Sequence, residues 1–166
     1  MQLVFSFSLR NMKHEDYLSR ACELAEENVL NGGGPFGAVI VKDGEILAEG
    51  VNRVTSSCDP TAHAEVNAIR KACQKIGDFQ LKGCTVYSSC EPCPMCLSAL
   101  YWAGVEHIYY GNTQQDADDI DFSDKFIYDE LAVPQKERQL PCEHLDVPRR
   151  LRAFKMWMDK SDRVAY

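Results

Sequence analysis

Apolar side chains recur at helical spacing at Leu18, Cys22, Ala25 and Val29, so the pattern predicts an amphipathic helix over 16–30. Asn31-Gly32-Gly33-Gly34-Pro35 then stops it. The unbroken apolar run Phe36 to Val41 predicts a buried strand, Lys42-Asp43-Gly44-Glu45 a hairpin turn, and Ile46 to Val51 the returning strand. The Gly run follows a helix instead of joining strand to helix, which rules out a phosphate loop. A second helix is predicted over 62–75, with Val66, Ile69 and Cys73 facing inward. Further along come a strand at 85–89, a helix at 93–103, a strand at 105–110, and helices at 122–131 and 150–158. This order predicts one mixed sheet covered by helices on both faces. The chain ends of the strands near Asn52 and Ser89 should bring loops to one edge of that sheet.

Two segments carry chemistry: His63-Ala64-Glu65, an H-x-E, and Pro92-Cys93-Pro94-Met95-Cys96, a P-C-x-x-C. Singly, each is commonplace. An H-x-E on a helix is usually surface, and a C-x-x-C is as readily a redox pair or half of a structural zinc site. In this order they make the signature of zinc-dependent deaminases. One His and two Cys supply three ligands, one short of a closed structural site, and the open position is where a catalytic zinc holds water. Glu65 is then free to move that water's proton. Asp59-Pro60-Thr61 predicts a helix start near Ala62, and Pro92 and Pro94 mark the start of another. Two helix N-termini would favour thiolate over thiol. Cys90 extends the spacing to C-x-x-C-x-x-C, so spacing alone leaves the ligand pair open.

The 166 residues suit one domain with a full core. No apolar run reaches membrane-spanning length, so no membrane partner is expected. Residues 1–13 read as a disordered extension, and Met1 to Leu9 lacks the basic flank and cleavage site of a signal peptide. Eight cysteines without a secretory signal fit a reducing cytoplasm, with the thiols kept for metal and packing. A net charge of −7 argues against a nucleic-acid partner, which needs concentrated Lys and Arg. The charge is uneven. Asp116, Asp118, Asp119, Asp121, Asp124, Asp129 and Glu130 form an acidic stretch, and Arg149, Arg150, Arg152, Lys155, Lys160 and Arg163 a basic tail. Solvated helix faces account for both; the sharper reading docks the tail on an acidic surface, its own or a partner's.

The chain resembles the cytidine-deaminase-like superfamily, and within it the bacterial guanine deaminases. The resemblance runs from about His14 to the C-terminus. It is carried by GGPFGAVIVKDGEILAEG (33–50), DPTAHAEVNAIRKAC (59–73), SSCEPCPMCLSALYWA (88–103), FSDKFIYDE (122–130) and the terminal Tyr166. The first three stretches are shared broadly among nucleobase and nucleoside deaminases; the last two are narrower. The resemblance implies an α/β fold of three layers, α/β/α, with a central mixed five-stranded sheet, and one deaminase domain over 14–166. It implies one Zn2+ per subunit, held by His63, Cys93 and Cys96, which leaves Cys90 as a packing residue. It implies a homodimer in which about 145–166 is exchanged between subunits. It also implies that Asn52, Asp124 and Tyr166 contact a small purine base.

On this reading Glu65 takes the water's proton, protonates a ring nitrogen and then delivers a proton to the departing amine. Guanine would give xanthine and ammonia, in purine catabolism or salvage. The backbone N–H of Ala64 and the Glu91–Cys93 turn are candidate partners for developing charge. Phe36 and Trp102, beside the motifs, are candidates to sandwich the base, although buried aromatics are more often simple core. Three rival readings stay open at this point. One is a guanosine or other nucleobase deaminase, including cytosine or a triazine. Another is a tRNA adenosine deaminase, which would need a basic face. The third is a non-catalytic zinc or thiol redox module with no use for Glu65.

Overall fold

Asp43 and Gly44 both adopt positive φ, 52° and 79°, as a two-residue turn matched to strand twist requires. That turn joins β1 (Gly37–Lys42) to β2 (Glu45–Val51). In the computed structural model, which describes residues 12–165, this hairpin is half of a four-stranded sheet. The order is β2-β1-β3-β4, with β3 at Cys84–Cys90 and β4 at His107–Asn112. β1 runs antiparallel to both β2 and β3, and β3 runs parallel to β4. Gly37 therefore faces Val51, Ala38 faces Ser88 and Cys90 faces Asn112. The C-terminal ends of β2, β3 and β4 and the start of β1 share one end of the sheet, the edge expected to gather loops.

Three layers follow from the side-chain alternation of β1, whose residues are buried on both faces. Ala38 and Ile40 point to one side, with Val86, Ala64, Ala68, Ala72 and Leu100 from α3 (Ala64–Ile76), α4 (Pro94–Ala103) and β3. Val39 and Val41 point to the other, with Tyr17, Ala21 and Leu24 of α1 (His14–Leu30). Val39, Ile40 and Val86 are wholly buried, each stabilising the fold by roughly 1.5–3 kcal/mol. Gly50 sets how closely α3 approaches β2, because a Cβ there would collide with the Ala64 carbonyl and crowd the Ala68 amide.

Three elements depart from expectation. The expected fifth strand is not among the described residues. Thr113 instead caps α5 (Gln114–Asp118) directly after β4, its side chain accepting from the Asp116 amide. The chain thus leaves the sheet as helix, and β4 is an edge. The helix expected at 122–131 is α6 (Lys125–Ala132). Asp121 takes a φ of 66° and the Phe122 amide turns back to the Ala117 carbonyl, which delays the restart. A short helix, α2 (Val54–Ser57), also lies where none was expected.

The chain separates into two compact units, the first ending at Lys125 and the second beginning at Phe126. The second contains most of α6, a short 3-10 turn (Gln135–Glu137) and α7 (Arg152–Asp159). It is tied internally by Gln139 N–H to Glu130 (2.7 Å) and by the Gln135 amide to the Cys142 carbonyl (2.6 Å). No helix among the described residues is long and apolar enough to cross a membrane. The extension and signal-peptide readings of 1–11 and the role given to Tyr166 lie outside the described residues. Lys13, at the inner end of the expected extension, is the N-cap of α1.

Candidate active site

Each chemistry-bearing motif lies at a helix start. Asp59 spends its carboxylate on Thr61, accepting from the backbone N–H (2.8 Å) and the hydroxyl (2.7 Å). This turn holds the chain extended through His63, so α3 starts two residues later than expected, with His63 itself at the N-cap. Ala64 and Glu65 open the first turn. In α4, Cys93 is the N-cap, Pro94 follows where its missing N–H costs nothing, and Cys96 lies one turn on. Close packing of α3 on Gly50 and the end of β3 after Cys90 bring the two helix starts together.

His63, Cys93 and Cys96 offer three donor atoms that all lie within 4.8 Å of one another. His63 Nδ1 is 3.6 Å from Cys93 Sγ and 3.5 Å from Cys96 Sγ. A tetrahedral zinc with ordinary bond lengths puts nitrogen and sulfur about 3.6 Å apart. The donor set and its spacing therefore fit zinc. The electrostatics agree. A hydrogen bond from Cys96, then the His63 ring and the Cys96 backbone N–H, draw the Cys93 thiol down to about 4. Cys96 is pushed up because it donates to Cys93 and is buried. His63 is raised, first by its bond to Cys93 and further by the charges of Cys93, Glu65 and Asp124.

Glu65 is only 6% exposed, and Ser88 of β3 donates to its Oε1 at 3.1 Å. Burial pushes its carboxyl above the usual range, while bonds from its own backbone N–H, Cys96 and Ser88 pull the other way. Ala64 is fully buried at the first position of α3, where backbone N–H groups lack intrahelical partners.

The other candidates divide. Asn52, just past β2, is buried. Its Oδ1 accepts from the Val54 amide at 3.2 Å, and its backbone is clamped between the Phe36 carbonyl and the Asn28 side chain. Phe36 is half-buried and meets Phe122 edge-on, ring centroids 5.1 Å apart. Asp124 lies near enough for its charge to act on His63 and Cys90. Trp102 does not join them. It is 66% exposed, and six residues beyond Cys96 a helix has advanced about 9 Å and turned about 240°. Cys90 is a buried thiol pushed up to about 11, chiefly by burial and then by the charge of Glu65. It is not among the three converging donors. Sequence reasoning passed over Ser88, Phe122 and Gln114, whose amide donates to Asp124 Oδ1 at 2.8 Å. Only Gln114 had a local signal, the Thr113-x-x-Asp116 cap that starts its helix.

Residues 11–112 match the cytidine and deoxycytidylate deaminase zinc-binding region. The chain belongs to this deaminase family. Zinc is the cofactor of the site. The chain is 51% identical to guanine deaminase of Bacillus subtilis (strain 168) over 156 residues, 93% of this chain and 100% of that one. It superposes on an X-ray structure of guanine deaminase from Bacillus subtilis with a TM-score of 0.91, covering 93% of this chain and 99% of that one. A tRNA-specific adenosine deaminase from Aquifex aeolicus (strain VF5) is 40% identical over 99 residues, 60% of this chain and 66% of that protein.

Proposed function

We infer that the protein is a guanine deaminase, an aminohydrolase that converts guanine and water to xanthine and ammonia. The observation that carries this is the 51% identity to a guanine deaminase along its whole length, through the segment after β4 as well as the metal motifs. His63, Cys93 and Cys96 would hold zinc, which when bound would lower the pKa of a water toward neutrality and so supply a nucleophile. Buried Glu65, kept in place by Ser88, accepts a proton from the attacking water. It gives that proton to a ring nitrogen as the C2–O bond forms, takes a second proton from the new C2 hydroxyl, and passes it to the 2-amino group, which leaves as ammonia as the C–N bond breaks. The Ala64 N–H faces developing charge from the start of α3. Asn52 and Asp124 hold the edges of the base, and Phe36 packs beside it.

Tyr166 completes the pocket from a neighbouring subunit, in a homodimer exchanging about 145–166. This is supported by α7, where Phe154, Trp157 and Met158 share one face and are 70%, 42% and 63% exposed. An apolar face of this kind is more than a lone soluble subunit ordinarily leaves bare. A reducing cytoplasm suits eight cysteines that are all free thiols.

Ammonia release from guanine, guanosine, adenine and cytosine, with zinc quantified, tests the assignment. Guanine should be preferred over guanosine because the C-terminal segment closes over the base and leaves little room for ribose. Comparable efficiency on guanosine, or zinc-loaded protein inert toward every purine, would overturn it. Mixing Glu65→Ala subunits with tail-truncated subunits tests the exchange. The truncated subunit keeps Glu65 and receives an intact tail, so one site per mixed dimer should recover. A verified mixed dimer without recovery would refute it.

A further inference from the structure

Asp124 immediately precedes α6, and a side chain of α5 reaches its carboxylate. Its Oδ1 accepts from Gln114 Nε2 at 2.8 Å, and a carboxylate can only accept, so the Gln114 amide must present its NH2 to it. Gln114 is in turn fixed from two directions. Its backbone N–H donates to Glu91 Oε2 at 3.2 Å, and the Glu91 N–H donates to the Asn112 carbonyl at 2.8 Å. Thr113 and Asp116 close the cap just ahead of it, the Thr113 N–H and hydroxyl both 2.7 Å from Asp116 Oδ2. Glu91 lies two residues before Cys93. A continuous set of hydrogen bonds therefore runs from the metal-binding loop, through residue 114, to the carboxylate ten residues on. Gln114 and Asp124 are both only partly exposed, so the bond is sheltered from competing water.

We propose that Gln114 is a positioning residue for base recognition. It occupies one oxygen of Asp124 and turns the other toward the N–H groups of the purine, in a register set by the Cys93 loop. The proposal rests on the reading of Asp124 as a base contact. A purine edge offering two N–H donors needs an acceptor at a fixed angle, and a carboxylate free to rotate about χ2 would present that acceptor only part of the time. Holding it in advance lowers the ordering cost of binding.

The test is steady-state kinetics on guanine for Gln114→Met, Gln114→Glu, Asp124→Ala and the double variant Gln114→Met/Asp124→Ala, each with zinc and thermal midpoint measured. Gln114→Met keeps the size and loses the donor. It should raise KM by about ten- to a hundredfold, the range for one lost hydrogen bond to a charged group, with kcat within a few-fold and zinc unchanged. Gln114→Glu is nearly isosteric but sets a carboxylate against Asp124, and should be at least as impaired. In the Asp124→Ala background Gln114→Met should cost nothing further. A Gln114→Glu protein with the wild-type KM, or equal losses from Gln114→Met in both backgrounds, would overturn the proposal. Unimpaired Asp124→Ala would instead remove Asp124 from base recognition, a separate failure of the reading on which the proposal rests.

Discussion

Replacing Glu65 by Gln changes one atom of a side chain whose surroundings are defined. Ser88 donates to Oε1, a contact the amide oxygen keeps. The other oxygen becomes an NH2 that can donate toward Cys96, whose side chain already meets Glu65. The three metal donors are untouched, so zinc content should stay at wild type. What is lost is the capacity to take and return a proton. Positioned acid–base catalysis is worth about 10²–10⁴-fold, so kcat should fall by that factor, about 3–5 kcal/mol of barrier. Stability should move the opposite way in metal-free protein. Burial raises the Glu65 carboxyl above its unfolded value, so the folded state holds the proton more tightly. That contribution is fully present below the unfolded value of about 4.3 and is lost as pH rises toward the folded value. Metal-free Glu65→Gln has no such loss, so its stability relative to metal-free wild type should grow with pH above about 4. Ammonia release, zinc analysis and thermal melts across pH measure all three. Zinc retained with activity within a few-fold of wild type would refute the catalytic role. A metal-free wild type that gains on the variant as pH rises would refute the burial argument.

Three further substitutions test the frame around Glu65. Cys96→Ala removes a donor 3.5 Å from His63 and should abolish stoichiometric zinc, whereas Cys90→Ala should retain it; metal analysis giving the reverse would reassign the ligand pair. Gly50→Ala drives a Cβ into the Ala64 carbonyl and should destabilise the fold by about 1–3 kcal/mol, the usual cost of overpacking. Because the displaced helix carries His63 at its start, zinc affinity should fall with it, and a melt and metal titration indistinguishable from wild type would show that α3 does not depend on this close approach.

What the sequence made legible, and what it hid, follows from how far each contact reaches along the chain. The metal centre was readable because each half is a short local motif at a helix start, announced by Asp59 and Thr61 in one case and by Pro94 in the other. The hairpin was readable because Asp43-Gly44 can take the positive φ angles its turn demands. Ser88 was not readable. A Ser in a strand carries no chemistry of its own, and its role exists only because the register sets Ser88 opposite Ala38, beneath the start of α3, within reach of a carboxylate 23 residues away. Gln114 was hidden for the same reason, although the Thr113 cap that starts its helix is local. That same cap is why the sheet stops at four strands among the described residues, where the resemblance implied five. Trp102 is the converse case. Nearness to Cys96 along a helix is not nearness in space, because six residues carry a side chain well along the axis and round to another face. A helix start places chemistry reliably because only its first turn points at the ligand. Whatever lies beyond that turn depends on the strands and loops packed against it. The residues that hold the Glu65 and Asp124 side chains come from such distant segments, Ser88 from β3 and Gln114 from α5.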